Sequence, residues 1–152
     1  MKNLNQLSKD LKEMENKVIK RLVEVQRQSA YDICMDAKKL APKETGRYAD
    51  SIVVGDTVIE NYVMTTRIYS NAKVISLSGK AYLLGFLLEN GTAPHMIYPV
   101  YADYLHFLID GKDVYAKKVH HPGFVAMPHF IPALNANKSR YESNVKKAVR
   151  SG

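Results

Sequence analysis

Forty-one residues pass before the first proline, Pro42, and none of them is glycine. Within that stretch Leu4, Leu7, Leu11, Met14 and Val18 recur at alternating spacings of three and four, the signature of one apolar helical stripe. Leu22, Val25, Ile33 and Leu40 prolong the stripe as it drifts, and Lys9, Asp10, Lys12, Glu13, Lys17, Lys20, Arg21 and Glu24 fill the faces between. Pro42 forces a stop, because its ring clashes with the preceding turn and it lacks an N–H. At 1.5 Å per residue such a helix runs on the order of 55 Å, longer than a compact domain of this size needs. Its first half is expected either to project towards a partner or to lie on the core with a frayed start.

After Pro42 the pattern changes. Residues 43–47 read as a loop, Ser51–Glu60 as a Val- and Ile-rich strand, Asn61 as a turn, and Tyr62–Tyr69 as a second strand completing a hairpin. The apolar segment Ala81–Glu89 closes on Asn90-Gly91, a helix C-terminal signal. Strands are predicted at Met96–Pro99, Leu105–Asp110 and Val114–Val119, the last two joined through Asp110-Gly111-Lys112-Asp113. Pro122-Gly123 breaks the chain, and a closing helix starts near Ile131. Hairpin connections argue for an α+β fold: a long N-terminal helix and a C-terminal helix packed on a mostly antiparallel β-sheet, with a short middle helix. Residues 1–152 are expected to form a single domain, with helix 1–40 set on an α+β body spanning 43–150.

Composition narrows the class. With 152 residues, 46% hydrophobic and 24% charged, the chain can bury a real core without disulfides or metals. The lone Cys34 excludes a disulfide framework and any cysteine-rich zinc site. Met1–Asp10 lacks the apolar run of a secretory signal, and no apolar stretch approaches the roughly 20 residues of a membrane span. A soluble, intracellularly made protein without membrane contact is expected. The net charge of +7 is spread over both ends: residues 1–40 carry nine Lys/Arg against six Asp/Glu, and residues 91–152 carry eight against four. Basic charge permits phosphate contact, yet no Arg-rich run with interleaved aromatics and no helix-turn-helix spacing is present.

Reactive-site chemistry is hard to assemble. His120-His121-Pro122-Gly123, with His129, His95 and His106, is the densest histidine group, but adjacent strand residues face opposite sides and cannot share one ion without distortion. Cys34 falls on or beside the helical stripe, where cysteine behaves as a small hydrophobe. Asp103, Asp110 and Asp113 neighbour His106, though Asp110 and Asp113 flank a turn glycine as ordinary turn residues. Neither a nucleophile elbow nor a phosphate loop occurs. No catalytic residue, metal ligand or cofactor is assigned, so the protein is expected not to be an enzyme. Ten tyrosines and no tryptophan suit protein–protein contacts or the edges of sheets.

Several short segments, in order, resemble one family. Ala41-Pro42-Lys43-Glu44-Thr45-Gly46-Arg47 followed by Asp50-Ser51-Ile52 is similar to the Ala-Pro-x-x-Thr-Gly-x-Leu-x-x-Ser-Ile segment of tailed-bacteriophage neck, or tail-completion, proteins, which are also labelled minor tail components. Leu88-Glu89-Asn90-Gly91-Thr92-Ala93-Pro94-His95 is similar to the family's Glu-x-Gly-Thr-x-x-His. Pro99, Leu105-His106-Phe107 and Lys117-Lys118-Val119-His120-His121-Pro122-Gly123 match its central hairpin. Met127-Pro128-His129-Phe130-Ile131-Pro132-Ala133-Leu134 resembles its closing Pro-Phe-x-x-Pro-Ala-Leu. Two departures stand out: position 48 is Tyr where the pattern favours Leu, and His129 is inserted between Pro128 and Phe130.

The resemblance implies a non-enzymatic virion protein at the junction of DNA-filled head and tail. Its partners would be copies of itself in a ring, six or twelve in number, together with head-connector or head-completion and tail-terminator proteins. Transient contact with packaged DNA is a further expectation. The same residues leave two alternatives open, a tail terminator capping the tube and a basic nucleic-acid-binding module. Charge and exposure point to Lys9, Lys12, Lys20, Arg21, Arg47, Lys117, Lys118 and His121 as interface candidates. Structural duties fall to Pro42, Thr45, Gly46, Ser51, Glu89, Gly91, Thr92, His95, Pro122, Gly123, Pro128, Phe130, Pro132 and Leu134. Among these, Thr45-Gly46 is expected to reverse the chain after the long helix, and Glu89–Thr92 to orient the loop carrying Pro94 and His95.

Overall fold

The computed structural model describes residues 3–44, 46–75 and 79–150. Helix α1 (Leu4–Leu40) opens on Asn3, whose side chain accepts from the Gln6 N–H, and ends at Ala41, one residue before Pro42. Gly46 follows in the left-handed region at φ 72°, a conformation that lets the chain reverse into the single turn α2 (Arg47–Asp50). Thr45 lies outside the described residues. The sequence pattern had no signal for α2, since four residues carry no period.

Strands β1 (Ile52–Glu60) and β2 (Val63–Ser70) form the expected hairpin, with a bulge at Gly55-Asp56 opposite Arg67. Thr66 and Ile68, on one face, line a cleft with Ser29 and Ile33 of α1 and Tyr141 of the last helix. Val58, Val63, Arg67 and Tyr69 line the opposite, open face. Strand β3 (Lys73–Ile75) pairs with β4 (Ala81–Leu83), which runs directly into helix α3 (Leu84–Asn90). Thus the predicted apolar segment 81–89 is a strand followed by a helix, and Gly91 ends it at φ 70° as its position suggested.

Strand β5 (His95–Ile97) pairs with β8 (Val119–His121), and β6 (Leu105–Ile109) pairs with β7 (Lys112–Ala116). One expected strand, Val114–Val119, is therefore two: it breaks at Lys117-Lys118, and Val119 joins a different sheet. Alternation also lapses there, since Lys117 and Lys118 are both exposed between the half-buried Ala116 and Val119. Among the described residues all strand pairs are antiparallel, distributed over four two-stranded sheets.

Helix α4 (Phe130–Arg150) packs antiparallel to α1. Polar pairs cross the seam: Tyr141 Oη donates to Gln26 Oε1, Arg140 pairs with Asp32 at 2.9 Å, and the buried Asn137 amide donates to Asp36 Oδ2 and to the Ala133 carbonyl. The core is small, built from Cys34, Ala41, Tyr48, Ala49 and Ile52 with Val54, Ile68, Leu84, Leu88 and Phe130 around it. Because α4 ends near the level of Arg21, residues 4–16 of α1 run about 20 Å beyond it. Leu4 is 86% exposed, and Leu7, Leu11 and Met14 are exposed as well.

The accessible surface is 11764 Å². A compact monomer of this mass exposes about 7,800 Å². The excess comes from the bare end of α1 and from hairpins that pack mainly against their own partner strand. Isolated two-stranded hairpins are marginal in water, so such surfaces call for covering.

Candidate assembly interface

The ordered motifs meet at one buried point. His129, fully buried just before α4, places Nε2 2.6 Å from Tyr48 Oη on α2 and Nδ1 2.9 Å from the Met127 carbonyl oxygen. A carbonyl only accepts, so Nδ1 carries the proton, and in the neutral ring Nε2 accepts from the tyrosine hydroxyl. The two rings stand edge to face at 5.3 Å. Gly85 on α3 leaves room for this contact, since a Cβ there would stand 2.9 Å from Tyr48 Oη.

Glu89, on the last turn of α3, reaches across to the start of α4. Its carboxylate accepts from the backbone N–H groups of His129 (2.8 Å), Phe130 (3.0 Å) and Ile131 (2.9 Å). Pro132, next in line, has no N–H, and the Ala133 N–H bonds to the His129 carbonyl. The donors left open at a helix start are thereby satisfied by one side chain and one proline. Glu89 thus caps a helix 40 residues further along the chain, a contact with no signal in the sequence.

Electrostatics follow from this geometry. Burial alone would raise the Glu89 pKa, but the three backbone donors together hold it below its ordinary value. Tyr48 is pushed up to about 12, first by burial and then by the Glu89 charge. Burial likewise raises the Cys34 thiol, against a smaller opposing pull from Lys38, which fits its place in the core.

The remaining motif residues support the same region. Ser51 Oγ donates to the Tyr48 carbonyl and accepts from Ser70 Oγ at 2.7 Å, tying the end of α2 to β2. Thr92 and Phe124 exchange backbone hydrogen bonds at 3.1 Å, joining the loop after α3 to the segment before α4. Gly91 and Gly123 make that crossing possible: a Cβ on Gly91 would stand 2.7 Å from the Phe124 carbonyl oxygen, and one on Gly123 would overlap the Thr92 carbonyl. Pro122 precedes this Gly123 turn, Pro128 leads into α4, and Phe130 packs on the core. Pro42 sits just past α1, while Leu134 is exposed on α4.

His95 and His121 lie opposite each other across β5–β8 and stack at 4.9 Å. Their hydrogen bonds select opposite tautomers. His95 Nδ1 faces the Ala93 carbonyl and carries its proton, whereas His121 Nδ1 accepts from the Gly123 N–H. The pair therefore does not present two Nε2 lone pairs to one ion. His120 is exposed on the other face, and His106 pairs with Asp113 at 2.6 Å on the surface. Among the described residues no group of three or more potential ligands converges. Also among them, no helix is long and apolar enough to cross a membrane.

The basic candidates are scattered over the surface. Lys9, Lys12, Lys20 and Arg21 are exposed on α1, Arg47 on α2, and Lys117 and Lys118 on the link between β7 and β8. Lys117 lies over the Tyr104 ring at 5.9 Å, while His121 is half-buried against His95. The larger exposed feature is apolar and aromatic. Tyr98, Val100, Tyr101, Tyr104, Leu108, Ile109 and Tyr115 are all exposed on or beside the β6–β7 hairpin. Charge-based reading missed this patch, although the tyrosine excess in the sequence pointed towards it.

Neither a curated protein nor a solved structure matches this chain significantly. A family model does, over residues 1–111, and its description is bacteriophage HK97-gp10, putative tail-component. With that match covering well over half of the sequence, and with the Thr-Gly and Glu-x-Gly-Thr segments inside it, the protein belongs to the HK97-gp10-like family of bacteriophage tail components.

Proposed function

We propose that this protein is a non-enzymatic structural subunit of the head-tail junction, assembling as a ring that joins the DNA-filled head to the tail. The observation that carries this reading is the surface excess, 11764 Å² on a 17.2 kDa chain, in a family of phage tail components. A chain that leaves a helical stripe and several hairpins bare is built to be completed by neighbours. Head-to-tail contacts between identical subunits close into rings when the rotation permits, and six or twelve copies would match the symmetry of the junction. Residues 1–152 act as one domain in this reading, located in the virion after synthesis in the host cytoplasm.

Lys9, Lys12, Lys20, Arg21, Arg47, Lys117, Lys118 and His121 would face acidic patches on connector or terminator proteins, or the DNA passage. The buried Tyr48–His129–Glu89 cluster would hold α2, α3 and α4 in a fixed relation, so that these surfaces are presented rigidly. Disruption of the gene in its phage, followed by electron microscopy of lysates, tests the reading. Full heads lying apart from tails of normal length are expected. Tails of irregular length would reassign the protein to tail termination, and normal infectious particles would remove the junction role.

A further inference from the structure

We propose that strand β6 pairs edge to edge with β6 of a second copy, antiparallel about Phe107, to form a four-stranded sheet. Among the described residues β6 pairs with β7 alone, and no loop backbone bonds to its other edge. Folded chains protect such edges by keeping them short or by charge, proline or a bulge. Strand β1 carries Asp56, Glu60 and a bulge, β2 carries Arg67, and β7 carries Lys112 and Asp113. Strand β6 reads Leu105-His106-Phe107-Leu108-Ile109 and has none of these, although Leu108 and Ile109 are 66% and 52% exposed. The surface excess of roughly 4,000 Å² per chain is ample for the ~800 Å² that each partner of a standard interface buries.

The turn fixes which groups face outward. Asp110 and Gly111, both at positive φ, form a two-residue turn in which the Lys112 N–H donates to the Ile109 carbonyl. Bonded and non-bonded pairs alternate along an antiparallel ladder, so the N–H and C=O groups of His106 and Leu108 point away from β7. In the proposed sheet, His106 of each copy exchanges these bonds with Leu108 of the other. An antiparallel strand of five residues pairs completely with its own copy only when the central one, Phe107, lies on the two-fold. One face then carries Val114 and Phe107 of both copies across its middle row, flanked by Leu105 beside Ile109. Charge selects the antiparallel direction. The β6–β7 register continues from Leu105–Ala116 to Tyr104–Lys117, with Lys117 Nζ 5.9 Å from the centre of the Tyr104 ring. The pairing brings Asp110 of the other copy into that row, whereas a parallel pair would set Asp110 against Asp110. The inference stands independently of the ring, because a two-fold pairing needs no other virion protein.

Sedimentation of the full chain over a wide concentration range, combined with disulfide trapping in a Cys34→Ser background, tests it. A reversible dimer is expected. Phe107→Cys should close to a covalent dimer under mild oxidation, since the Cα atoms of a facing non-hydrogen-bonded pair stand about 4.5 Å apart, within disulfide reach. Ile109→Cys, on the same face and more exposed, should not, because each Ile109 faces Leu105 of the other copy. Leu108→Lys should weaken the dimer at least about tenfold by placing a charge on the edge. Asp113, its partner across the hairpin, accommodates that lysine, so circular dichroism should stay unchanged. A monomer at every concentration, which would leave the edge to a strand of another virion protein, overturns the proposal. So would trapping at Ile109 as readily as at Phe107, or a Leu108→Lys dimer as tight as the parent.

Discussion

Tyr48 Oη lies 2.6 Å from His129 Nε2 and ties α2 to the start of α4. A polar ring enters the core there and a hydroxyl meets it. A buried imidazole without a partner would cost roughly 1–3 kcal/mol. Tyr48→Phe is accordingly expected to destabilise the protein by about that amount in urea unfolding. Tyr48→Leu combined with His129→Leu should lose less than the sum of the single changes, because no orphaned polar atom remains.

Alkaline unfolding carries the same signature. The folded-state pKa of Tyr48 is about 12 against an ordinary 10.0. Its contribution to stability is therefore complete below pH 10 and is lost as pH rises through about 12, because the unfolded chain releases the proton first. Tyr48→Phe should flatten the stability profile in that window. An unchanged slope would show that the hydroxyl is not held as described.

Glu89 produces the opposite dependence at acid pH. Its folded pKa is depressed below the ordinary 4.5, so its stabilisation is present above that value and is lost as pH falls through the lower folded value. Glu89→Ala removes the cap from α4 and should cost about 2–4 kcal/mol, since charged acceptors of backbone donors are among the stronger hydrogen bonds. Glu89→Gln should recover part of this while abolishing the acid dependence. Chemical denaturation at pH values from well below 4.5 up to neutral measures both effects.

Gly123 should tolerate no side chain. It combines φ 75° with a backbone crossing in which a Cβ would overlap the Thr92 carbonyl. Gly123→Ala is expected to cost at least about 2 kcal/mol, from strain and from loss of the Thr92–Phe124 bridge. Gly46→Ala, with the same backbone sign but nothing within 4 Å of the added methyl, should cost only about 1 kcal/mol.

The β1–β2 turn offers a change in the other direction. Asn61 and Tyr62 both have positive φ, at 49° and 64°, and Tyr62 is 98% exposed. A bulky residue in that conformation costs of the order of 1–2 kcal/mol. Tyr62→Gly should raise the unfolding midpoint by a corresponding amount. A fall instead would mean that the tyrosine packs usefully in the folded chain.

Elements whose signals are local can be read along the chain. The 37-residue α1 follows from an unbroken stripe ended by Pro42, the β1–β2 and β6–β7 hairpins from alternation about a turn, and the end of α3 from Gly91. Contacts between distant segments set the rest. Val119 leaves the strand before it for β5, and Glu89 caps a helix 40 residues away. Tyr48 meets His129 across 81 positions. The reason is physical: periodicity and turn chemistry bias a residue's own backbone, whereas partners this far apart meet only after the intervening chain has packed.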